Sequence, residues 1–527
     1  MKKYFYYRVK VMRVSLNKIV KILCKIFFIG LLFQFFIQTF FTYKLWFSGS
    51  FRNWIWMRKE FILLCFWGLI LRSVIKELPK YLESFKKIKK EGKNPTVSRF
   101  LSLFVQHSFS SFMILLIVTS LVFCWIAFLC QHTPIKNFLL SFKYDLIPLY
   151  IFGIWIGISY FFFSEKDQDV IEFYRKIIEW SLIVSFWWWF ILLICPKFFK
   201  YFWFDVFNYE GTVWMAPPVA YYTKISPNVQ DSFVRNSFLF ERPTTFWFWL
   251  IGFFPFHILS FLRTKARKNQ IFFALFFWLL IFSTLSRAAL VIRVIECLML
   301  VIILYWNKAK KYGIRMIIGI VTLMMGIGYV WRNFFVREHS NTGHLVLALE
   351  WWELAKKKII TWWWVGYAGP ASHQICHRDI IRDEFWQDEK HIVNEDDERC
   401  EIIRQINENH QIQTVGYNPE NQYLQILIEY GVVWTVFWLW CIARMFLYAI
   451  KMRRKFQKVS KNKYQQGLFY GIVGLTIGLF WICAEGLVLH SLMDRMVVYP
   501  FFLLYGIMIG LWEKEKKNLI VTKNQKK

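Results

Sequence analysis

The chain has 527 residues, of which 57% are hydrophobic and 21% aromatic, and its mean hydropathy is positive. Soluble globular proteins rarely have this composition, so the sequence indicates a membrane protein. Lys and Arg outnumber Asp and Glu by 66 to 35, which gives a formal net charge of +31, but the basic residues lie in short loops between apolar runs. This distribution argues against nucleic-acid binding and favours membrane topology as the cause of the charge.

Apolar runs long enough to cross a hydrocarbon layer of about 30 Å recur along the chain. The predicted spans are residues 26–43, 61–75, 112–130, 146–164, 177–195, 246–262, 271–285, 288–306, 317–331, 424–450, 467–488 and 496–512. The first run has no small-residue cleavage site, so we expect a retained span rather than a signal peptide. The run at 61–75 is the weakest, because it is short and carries Arg72 at its end. The sequence therefore predicts an all-α, polytopic integral membrane protein with about twelve transmembrane helices.

Clusters of Lys and Arg fall on one side of the predicted membrane. They occupy the N-terminus, residues 76–99, 263–268, 308–315 and 451–463, and the C-terminal tail. The positive-inside rule therefore predicts cytoplasmic N- and C-termini, although the basic loop at 44–59 does not fit. The regions predicted to face outward are residues 197–245 and a long acidic insert, residues 332–423, between spans 9 and 10. We expect this insert to be a large helical loop outside the cytoplasm.

The placement of polar residues separates two classes of membrane protein. A secondary transporter usually has internal repeats and broken spans near the bilayer midplane. This chain has no convincing internal repeat, and its polar residues are concentrated in the two outward regions. We therefore expect an enzyme that works at the outer face of the membrane.

Two arginines stand at predicted membrane edges. Arg287 lies in the turn Ser283-Thr-Leu-Ser-Arg-Ala-Ala289 between two spans, and Arg242 lies just before the span at 246–262. A charged side chain next to hydrocarbon is unfavourable and needs an explanation. Each arginine either extends to the lipid headgroups or binds phosphate oxygens through paired hydrogen bonds.

The acidic insert contributes three further candidates. Apolar side chains at helical spacing over residues 341–355 place His344 in the first turn of a predicted helix. His344 either caps or packs that helix, or it contacts a substrate. Gly366 and Gly369 lie in the loop that follows, where glycine lets the backbone approach a ligand and exposed amides bind anions.

The insert ends in the run Glu420-Asn421-Gln422-Tyr423-Leu424-Gln425, which leads directly into the span at 424–450. Glu420 has two interpretations. It is either an acidic residue that the dipole of the following helix favours, or a general base held within reach of a substrate hydroxyl.

Taken together, these motifs resemble the O-antigen ligase/polymerase superfamily. Ser286-Arg287-Ala288-Ala289 matches the superfamily's Ser-Arg followed by small residues, and Arg242 with Thr245-Phe246 is similar to its arginine before a Thr-Phe-like segment. The Pro-Asn pair that usually follows there is absent. Residues 362–372 resemble a Gly-x-Gly-x-Ala-Gly-Pro-like loop, and residues 420–425 resemble the His-Asn-x-Tyr-Leu-Gln motif with Glu420 in place of histidine. The resemblance covers residues 242–512 in ordered pieces.

The resemblance implies a helical bundle with a helical insert above a lipid-facing cleft, and a glycosyltransferase reaction. A glycan would move from a polyprenyl diphosphate carrier to an acceptor hydroxyl at the outer face of the cytoplasmic membrane. Arg287 and Arg242 would neutralise the diphosphate leaving group, and Glu420 would deprotonate the acceptor. The implied substrate-binding residues are Ser286, His344, Gly366, Gly369 and Asn421.

The implied chemistry also limits the cofactors and partners. Superfamily members need no nucleotide and no obligatory metal, so no cofactor is expected, and the partners are the lipid-linked donor, a sugar or protein hydroxyl and the bilayer. Lipid-core ligases, chain-extending polymerases and protein O-oligosaccharyltransferases share this layout, so the acceptor is a glycolipid, a growing polysaccharide or a glycoprotein. A transporter or flippase of lipid-linked sugars remains the alternative.

On these grounds the chain divides into three segments. Residues 1–245 hold the N-terminal spans and the first outward loop, residues 246–512 form the ligase-like membrane domain with the insert 332–423, and residues 513–527 form a basic cytoplasmic tail. Histidines and cysteines inside the insert leave two weaker alternatives open. The run His373-Gln-Ile-Cys-His377 resembles a zinc ligand cluster, and Cys376 and Cys400 are candidates for a disulfide.

Tryptophan is unusually frequent, with 28 Trp against 24 Gly. Trp364 and Trp434 stand where the superfamily has glycine in the Gly-x-Gly loop and in the Glu-x-Gly-x-x-Gly run that begins at Glu429, and Trp247 has a similar position. Our hypothesis is that some of these codons are UGA read as glycine. The alternative is a true bulky replacement, which would obstruct a close backbone approach.

Overall fold

The computed structural model describes most of the predicted spans and a small part of the loops. The described residues are 2–33, 59–76, 79, 108–130, 133, 135–163, 168–194, 220–224, 232–236, 243–260, 267–284, 286–304, 352, 377–382, 389–393, 421–456, 463–487 and 491–525.

Helices dominate the described residues. They are α1 (Lys2–Leu32), α2 (residues 59–76), α3 (Ser108–Cys124), α4 (Ile135–Ser141), α5 (Ile147–Phe162), α6 (Gln168–Ile194), α7 (Pro243–Ser260), α8 (Arg267–Ser283), α9 (Arg287–Leu304), α10 (Gln422–Phe456), α11 (Lys463–Glu485) and α12 (Arg495–Gln525). Short π-helical segments follow α3 and α4, at Trp125–Cys130 and Phe142–Leu146, and a 3₁₀ turn, Ser491–Met493, precedes α12. Apolar runs of this kind become helices because a helix satisfies its own backbone hydrogen bonds where lipid cannot.

Five of the described helical segments are long and apolar enough to cross a membrane. They are Ser111–Leu129, Phe142–Phe162, Gln422–Lys451, Gln465–Glu485 and Arg495–Glu515. Each overlaps a predicted span, so the prediction of a helical membrane protein is confirmed. The count of twelve is not confirmed, because the predicted span 317–331 and most of 26–43 lie outside the described residues.

The helices also carry apolar side chains on their outer faces. Phe61, Leu129 and Leu275 are among the large hydrophobic residues that expose more than half of their surface. Surfaces of this kind are expensive in water and are expected against lipid tails. They support a bilayer as the environment of the chain.

Two short antiparallel strand pairs lie between the helices, in regions predicted to be loops. Strand β1 (Ala220–Lys224) pairs with β2 (Ser232–Asn236), and β3 (His377–Arg382) pairs with β4 (Glu389–Val393). The first pair lies in the region 197–245 that was predicted to face outward, and the second lies in the insert that was expected to be helical. These strands are five or six residues long and mostly polar. Their side chains therefore give too weak an alternating signal to stand out.

The described chain forms two compact units that interleave along the sequence. Unit 1 comprises Met1–Ile178, Val433–Thr476 and Val498–Lys527, and unit 2 comprises Glu179–Val432 and Ile477–Val497. The predicted divisions at residues 245 and 512 instead cut the chain into consecutive segments. They rest on motifs and topology, and they stay predictions.

In unit 1, α5 and α12 approach each other at two glycines. A Cβ atom added at Gly506 would lie 2.7 Å from the carbonyl oxygen of Phe152 and 2.8 Å from the Cβ of Trp155, and one added at Gly510 would overlap Ser159. Small residues four positions apart let two helix backbones come this close, which strengthens van der Waals packing inside a membrane.

In unit 2, α7, α8 and α9 pack against one another. The ring of Phe254 lies 5.2 Å from that of Phe277, and His257, one turn further along α7, lies 5.1 Å from Phe273, one turn earlier in α8. Contacts that advance along one helix and retreat along the other show that α7 and α8 are antiparallel. The N-terminus of α7 and the C-terminus of α8 therefore lie at the same end of unit 2.

Helix α10 contains one non-helical residue. Gly431 has φ 70° and ψ 178°, a backbone conformation that is strained for any residue with a side chain. The kink separates the first turns of α10, which belong to unit 2, from the remaining helix. It also explains why the run that begins at Glu429 holds a glycine two residues later.

Candidate functional site

The starts of several helices meet at one end of unit 2. The hydroxyl of Thr245, in the first turn of α7, donates a 2.6 Å hydrogen bond to Asp494, which precedes α12. The backbone N–H of Leu492 donates to the side-chain oxygen of Gln422, the first residue of α10, at 2.9 Å. The N-termini of α7, α10 and α12 are therefore joined by direct hydrogen bonds.

Helix α9 starts at the same end. Arg293 donates a 3.0 Å hydrogen bond to the carbonyl oxygen of Leu250. Leu250 stands seven residues into α7 and Arg293 six residues into α9, or roughly 10 Å and 9 Å along the two helix axes. The first residues of the two helices, Pro243 and Arg287, are therefore at nearly the same level.

We call this region the capped end, because three of its helices begin with a capping side chain. Asn421 Oδ1 accepts a 3.0 Å hydrogen bond from the N–H of Leu424 at the start of α10. Ser286 Oγ accepts a longer one, 3.4 Å, from Ala289 at the start of α9. Asp494 Oδ1 accepts from Met496 at the start of α12 at 3.1 Å. Each side chain satisfies a donor that a helix start leaves unpaired.

The caps differ in charge, and this sets the electrostatics of the capped end. The N-terminus of a helix carries a partial positive charge of about half an elementary charge. The carboxylate of Asp494 offsets it at α12, whereas the caps Ser286 and Asn421 are neutral and add no negative charge at α9 and α10. An anion is therefore favoured near the start of α9 rather than near the start of α12.

The structure describes three of the eight residues predicted from the sequence to form the site. Arg287 is the first residue of α9, although its side chain lies outside the described part. Ser286 and Asn421 are the helix caps given above, so both have a structural role, and their contact with substrate stays a prediction. The other five lie outside the described residues; they are Arg242, His344, Gly366, Gly369 and Glu420.

Two of these five residues, Arg242 and Glu420, nevertheless stand next to helix starts of the capped end in the sequence. Arg242 directly precedes Pro243, the first residue of α7, and Glu420 stands two residues before Gln422, the first residue of α10. The three residues expected to act in catalysis thus stand at, or within two residues of, helix starts that meet at the capped end.

Next to the capped end, α10 and α11 bury several polar side chains. Gln422, Gln425 and Glu429 are each about 2% exposed or less, and their spacing places them on one face of α10. Glu485, the last residue of α11, is 3% exposed. The backbone N–H of Gln422 donates to the carbonyl oxygen of Gly486 at 2.9 Å. The first residue of α10 therefore contacts the residue that directly follows α11.

Two of these side chains have an oxygen without a hydrogen-bond donor among the described residues. They are Gln425 Oε1 and Glu485 Oε1, both fully shielded from solvent. Gln425 belongs to the motif at residues 420–425 without a predicted role, and Glu485 lies outside the predicted motifs. The signal was a single carboxylate at the end of an otherwise apolar run, 465–485, because charged residues in membrane spans are rare and mark function.

A second buried pair was also missed. Arg293 and Glu296 in α9 have no exposed surface, and Arg293 Nη1 lies 2.5 Å from Glu296 Oε2. The guanidinium also lies 3.8 Å from the centre of the Phe254 ring. Two opposite charges three residues apart within a predicted span, 288–306, were the available sequence signal.

The zinc and disulfide alternatives are largely untested. Cys376, Cys400 and His373 lie outside the described residues, and His377 is described only as a backbone position in β3. Within the described chain no group of three His, Cys, Asp or Glu residues is arranged to hold a metal ion. The six described cysteines, Cys24, Cys65, Cys124, Cys297, Cys441 and Cys483, form no disulfide.

The chain was compared with known proteins in three ways. No protein-family model matches it, and neither the curated proteins nor the solved structures contain a match.

Proposed function

We propose that this membrane protein is a glycosyltransferase of the O-antigen ligase/polymerase type. It transfers a glycan from a polyprenyl diphosphate carrier to an acceptor hydroxyl at the outer face of the cytoplasmic membrane, with both termini in the cytoplasm. The donor is a polyprenyl diphosphate-linked glycan, and the acceptor is a glycolipid, a growing polysaccharide or a glycoprotein.

The observation that carries the proposal is the meeting of helix starts at the capped end. The starts of α9 and α10 have neutral caps, and Arg287 is the first residue of α9. A diphosphate leaving group carries negative charge that grows as its bond to the sugar breaks. Helix N-termini and guanidinium groups fixed in advance stabilise this charge without reorganisation, which lowers the barrier.

The apolar helices supply the second requirement. A polyprenyl chain is soluble only in the bilayer, so its diphosphate reaches a protein from the side, at the membrane boundary. Several described helices of unit 2 expose large apolar side chains, among them Leu275 and Phe282 of α8. Arg287 follows α8 after a turn of three residues, so a carrier lying against α8 has its headgroup within reach of the start of α9.

The proposal is tested with purified protein in detergent and a polyprenyl diphosphate glycan, by measuring release of the free carrier and labelling of an acceptor fraction. Replacement of Arg287 by Ala is expected to reduce transfer about 10²–10³-fold, the usual effect of removing one group that stabilises a developing oxyanion. Lys451→Ala is the control, because Lys451 is an exposed cation in the other half of α10. It is expected to retain wild-type transfer.

Two results would contradict the proposal. The first is a wild-type protein that releases no carrier with any acceptor fraction. The second is an Arg287→Ala variant that transfers as fast as wild type. A third measurement separates the transporter alternative: in cells, loss of a transferase leaves the lipid-linked donor at the outer leaflet, whereas loss of a flippase leaves it at the inner leaflet.

A further inference from the structure

Helix α1 carries a row of lysines along one side. Lys18, Lys21 and Lys25 are three and four residues apart, so at about 100° per residue they lie within about 60° of one another around the helix axis. We call these three residues the lysine stripe. Lys18 is exposed, and Lys21 and Lys25 are partly exposed. α1 has eight basic residues and no acidic one, so no carboxylate of the same helix balances the stripe.

The two sides of the lysine stripe have opposite environments. On one side, Cys24 and Phe28 are fully buried. On the other side, Ile19, Ile22 and Ile26 expose 49%, 56% and 59% of their surface. Apolar side chains exposed to this extent in a membrane protein are expected against hydrocarbon. The lysine stripe therefore borders an apolar surface along its length.

Helix α6 packs against α1 beside the lysine stripe. The ammonium nitrogen of Lys25 lies 4.8 Å from the centre of the Phe173 ring, a cation–π contact that fixes its position. The ring of Phe28, less than one turn further along α1, lies 4.6 Å from that of Tyr174. Lys176 is exposed and stands one turn after Phe173, so it adds a fourth cation next to the stripe.

The nearest described carboxylate of α6 is engaged elsewhere. Arg175 holds Glu172 with two donors, Nε at 3.1 Å and Nη2, one to each carboxylate oxygen. Such a two-pronged contact uses the geometry of both groups and offsets their charges locally. Lys18, Lys25 and Lys176 take part in none of the ion pairs among the described residues. The region therefore keeps a net positive charge.

The chemistry of the two neighbouring surfaces selects the ligand. Ammonium groups attract phosphate oxygens, and their flexible stems let them reach toward headgroups at a membrane boundary. A soluble anion would leave the exposed isoleucines in water, and a neutral lipid would leave the lysines without a counter-charge. An anionic phospholipid supplies a phosphate for the lysines and acyl chains for the isoleucines at the same time.

We propose that the lysine stripe, together with Lys176, is a binding site for the headgroups of anionic phospholipids. The site belongs to unit 1, whereas the capped end belongs to unit 2, so it is independent of the proposed transferase activity. Each lysine close to an anionic surface strengthens binding about fivefold, and the three of the stripe together about a hundredfold. Added salt weakens binding because it screens the charges.

Lipid retention by the purified full chain tests the site. The protein is immobilised in mixed micelles of dodecyl maltoside with either labelled phosphatidylglycerol, which is anionic, or labelled phosphatidylcholine, which is neutral overall. Wild type is expected to bind phosphatidylglycerol more tightly, and Lys18→Gln, Lys21→Gln and Lys25→Gln combined are expected to weaken that binding about a hundredfold. Unchanged phosphatidylglycerol binding in the triple variant overturns the site.

Two further variants separate the site from net charge and from folding. Lys516→Gln, Lys517→Gln and Lys523→Gln combined remove the same charge from the end of α12 and are expected to keep wild-type binding. Equal losses in the two triple variants mean that binding follows net charge, which overturns the site. Arginine at all three positions of the stripe keeps the charge and is expected to keep binding, and loss of binding there also overturns the site.

Amine acetylation tests the site in the wild-type protein, so folding of a variant plays no part. Labelling of the lysine stripe, read by peptide mass spectrometry, is expected to fall at least about threefold in phosphatidylglycerol micelles at about 70% occupancy, because only the free fraction reacts. Labelling of Lys516 and Lys517 is expected to stay equal in both lipids. Equal labelling of the stripe in both lipids overturns the site. Equal protection by glycerol phosphate or by a soluble acidic peptide also overturns it, because the acyl chains would then contribute nothing.

Discussion

The buried pair Arg293–Glu296 gives the sharpest prediction about stability. Neither side chain is exposed, and the guanidinium has three neighbours: the Glu296 carboxylate at 2.5 Å, the Leu250 carbonyl oxygen at 3.0 Å and the Phe254 ring at 3.8 Å. Arg293→Met leaves a buried carboxylate without its partner, and Glu296→Met leaves a buried guanidinium without its own. Each single change is expected to destabilise unit 2 by about 3–5 kcal/mol.

The double variant, with Met at both positions, is expected to lose less stability than the sum of the two single losses. It removes both charges, so no unpaired ion remains, and methionine fills much of the vacated volume. The remaining loss is the hydrogen bond to Leu250 and the contact with the Phe254 ring, together about 2–3 kcal/mol. The two single variants together lose at least about 6 kcal/mol of stability, and the double variant loses about 3 kcal/mol. The coupling free energy between Arg293 and Glu296 is therefore about 3 kcal/mol or more.

Unfolding by SDS in mixed micelles, followed by tryptophan fluorescence, measures these differences. The control is Glu172–Arg175 in α6, an ion pair with the same spacing in which the glutamate side chain is 44% exposed. Breaking it is expected to change stability by about 1 kcal/mol or less. A double Met variant at 293 and 296 that loses the full sum of the two single effects would refute the coupling. Single variants of Arg293 or Glu296 that lose no more stability than those of the control pair would refute it as well.

Two further predictions concern packing and the identity of one residue. Gly506→Ala is expected to destabilise the α5–α12 contact by about 1–3 kcal/mol, because its Cβ would lie 2.7 Å from the Phe152 carbonyl oxygen. Gly68→Ala is the control, because no atom lies within 4 Å of the added Cβ there. Equal SDS-unfolding midpoints for the two variants would contradict this expectation. The glycine hypothesis for position 434 predicts a TGA codon and a glycine-bearing peptide by mass spectrometry, and a TGG codon would end it.

The membrane helices could be predicted closely from the sequence, and the sheets could not. The predicted spans 424–450, 467–488 and 496–512 each lie within a few residues of a described helical segment, because long apolar runs in lipid have helix as their main option. Strands β1 to β4 have no comparable constraint. They are short, lie between the spans, and pair with neighbours whose register the local pattern does not determine.

The candidate site was predicted less completely, for a physical reason. Sequence motifs located Arg287, Ser286 and Asn421, which stand at the starts of α9 and α10. The same motifs gave no sign that Ser286 and Asn421 cap those helices, or that Gln425 and Glu485 bury unpaired oxygens. Burial and pairing depend on which helix lies opposite, and a single sequence does not specify helix neighbours.

At Trp434 the sequence motif and the packing lead to different expectations. Its side chain is fully buried, and its ring lies 5.8 Å from that of Phe123 within unit 1. A tryptophan at this position therefore fits the packing of α10 against α3, whereas the superfamily resemblance favoured glycine. Packing compatibility and motif position lead to different expectations here, which is why the codon is the deciding observation.

The charges around the capped end give the proposed reaction a direction. The caps Ser286 and Asn421 add no negative charge at the starts of α9 and α10, whereas Asp494 offsets the start of α12. On the proposed function, a diphosphate is therefore expected near Arg287 rather than near α12. Adding a negative charge at one cap tests this: Asn421→Asp keeps the cap but adds a carboxylate at the start of α10, so it is expected to raise KM for the diphosphate donor while leaving stability nearly unchanged. An unchanged donor KM in that variant would show that the dipole of α10 does not act on the donor.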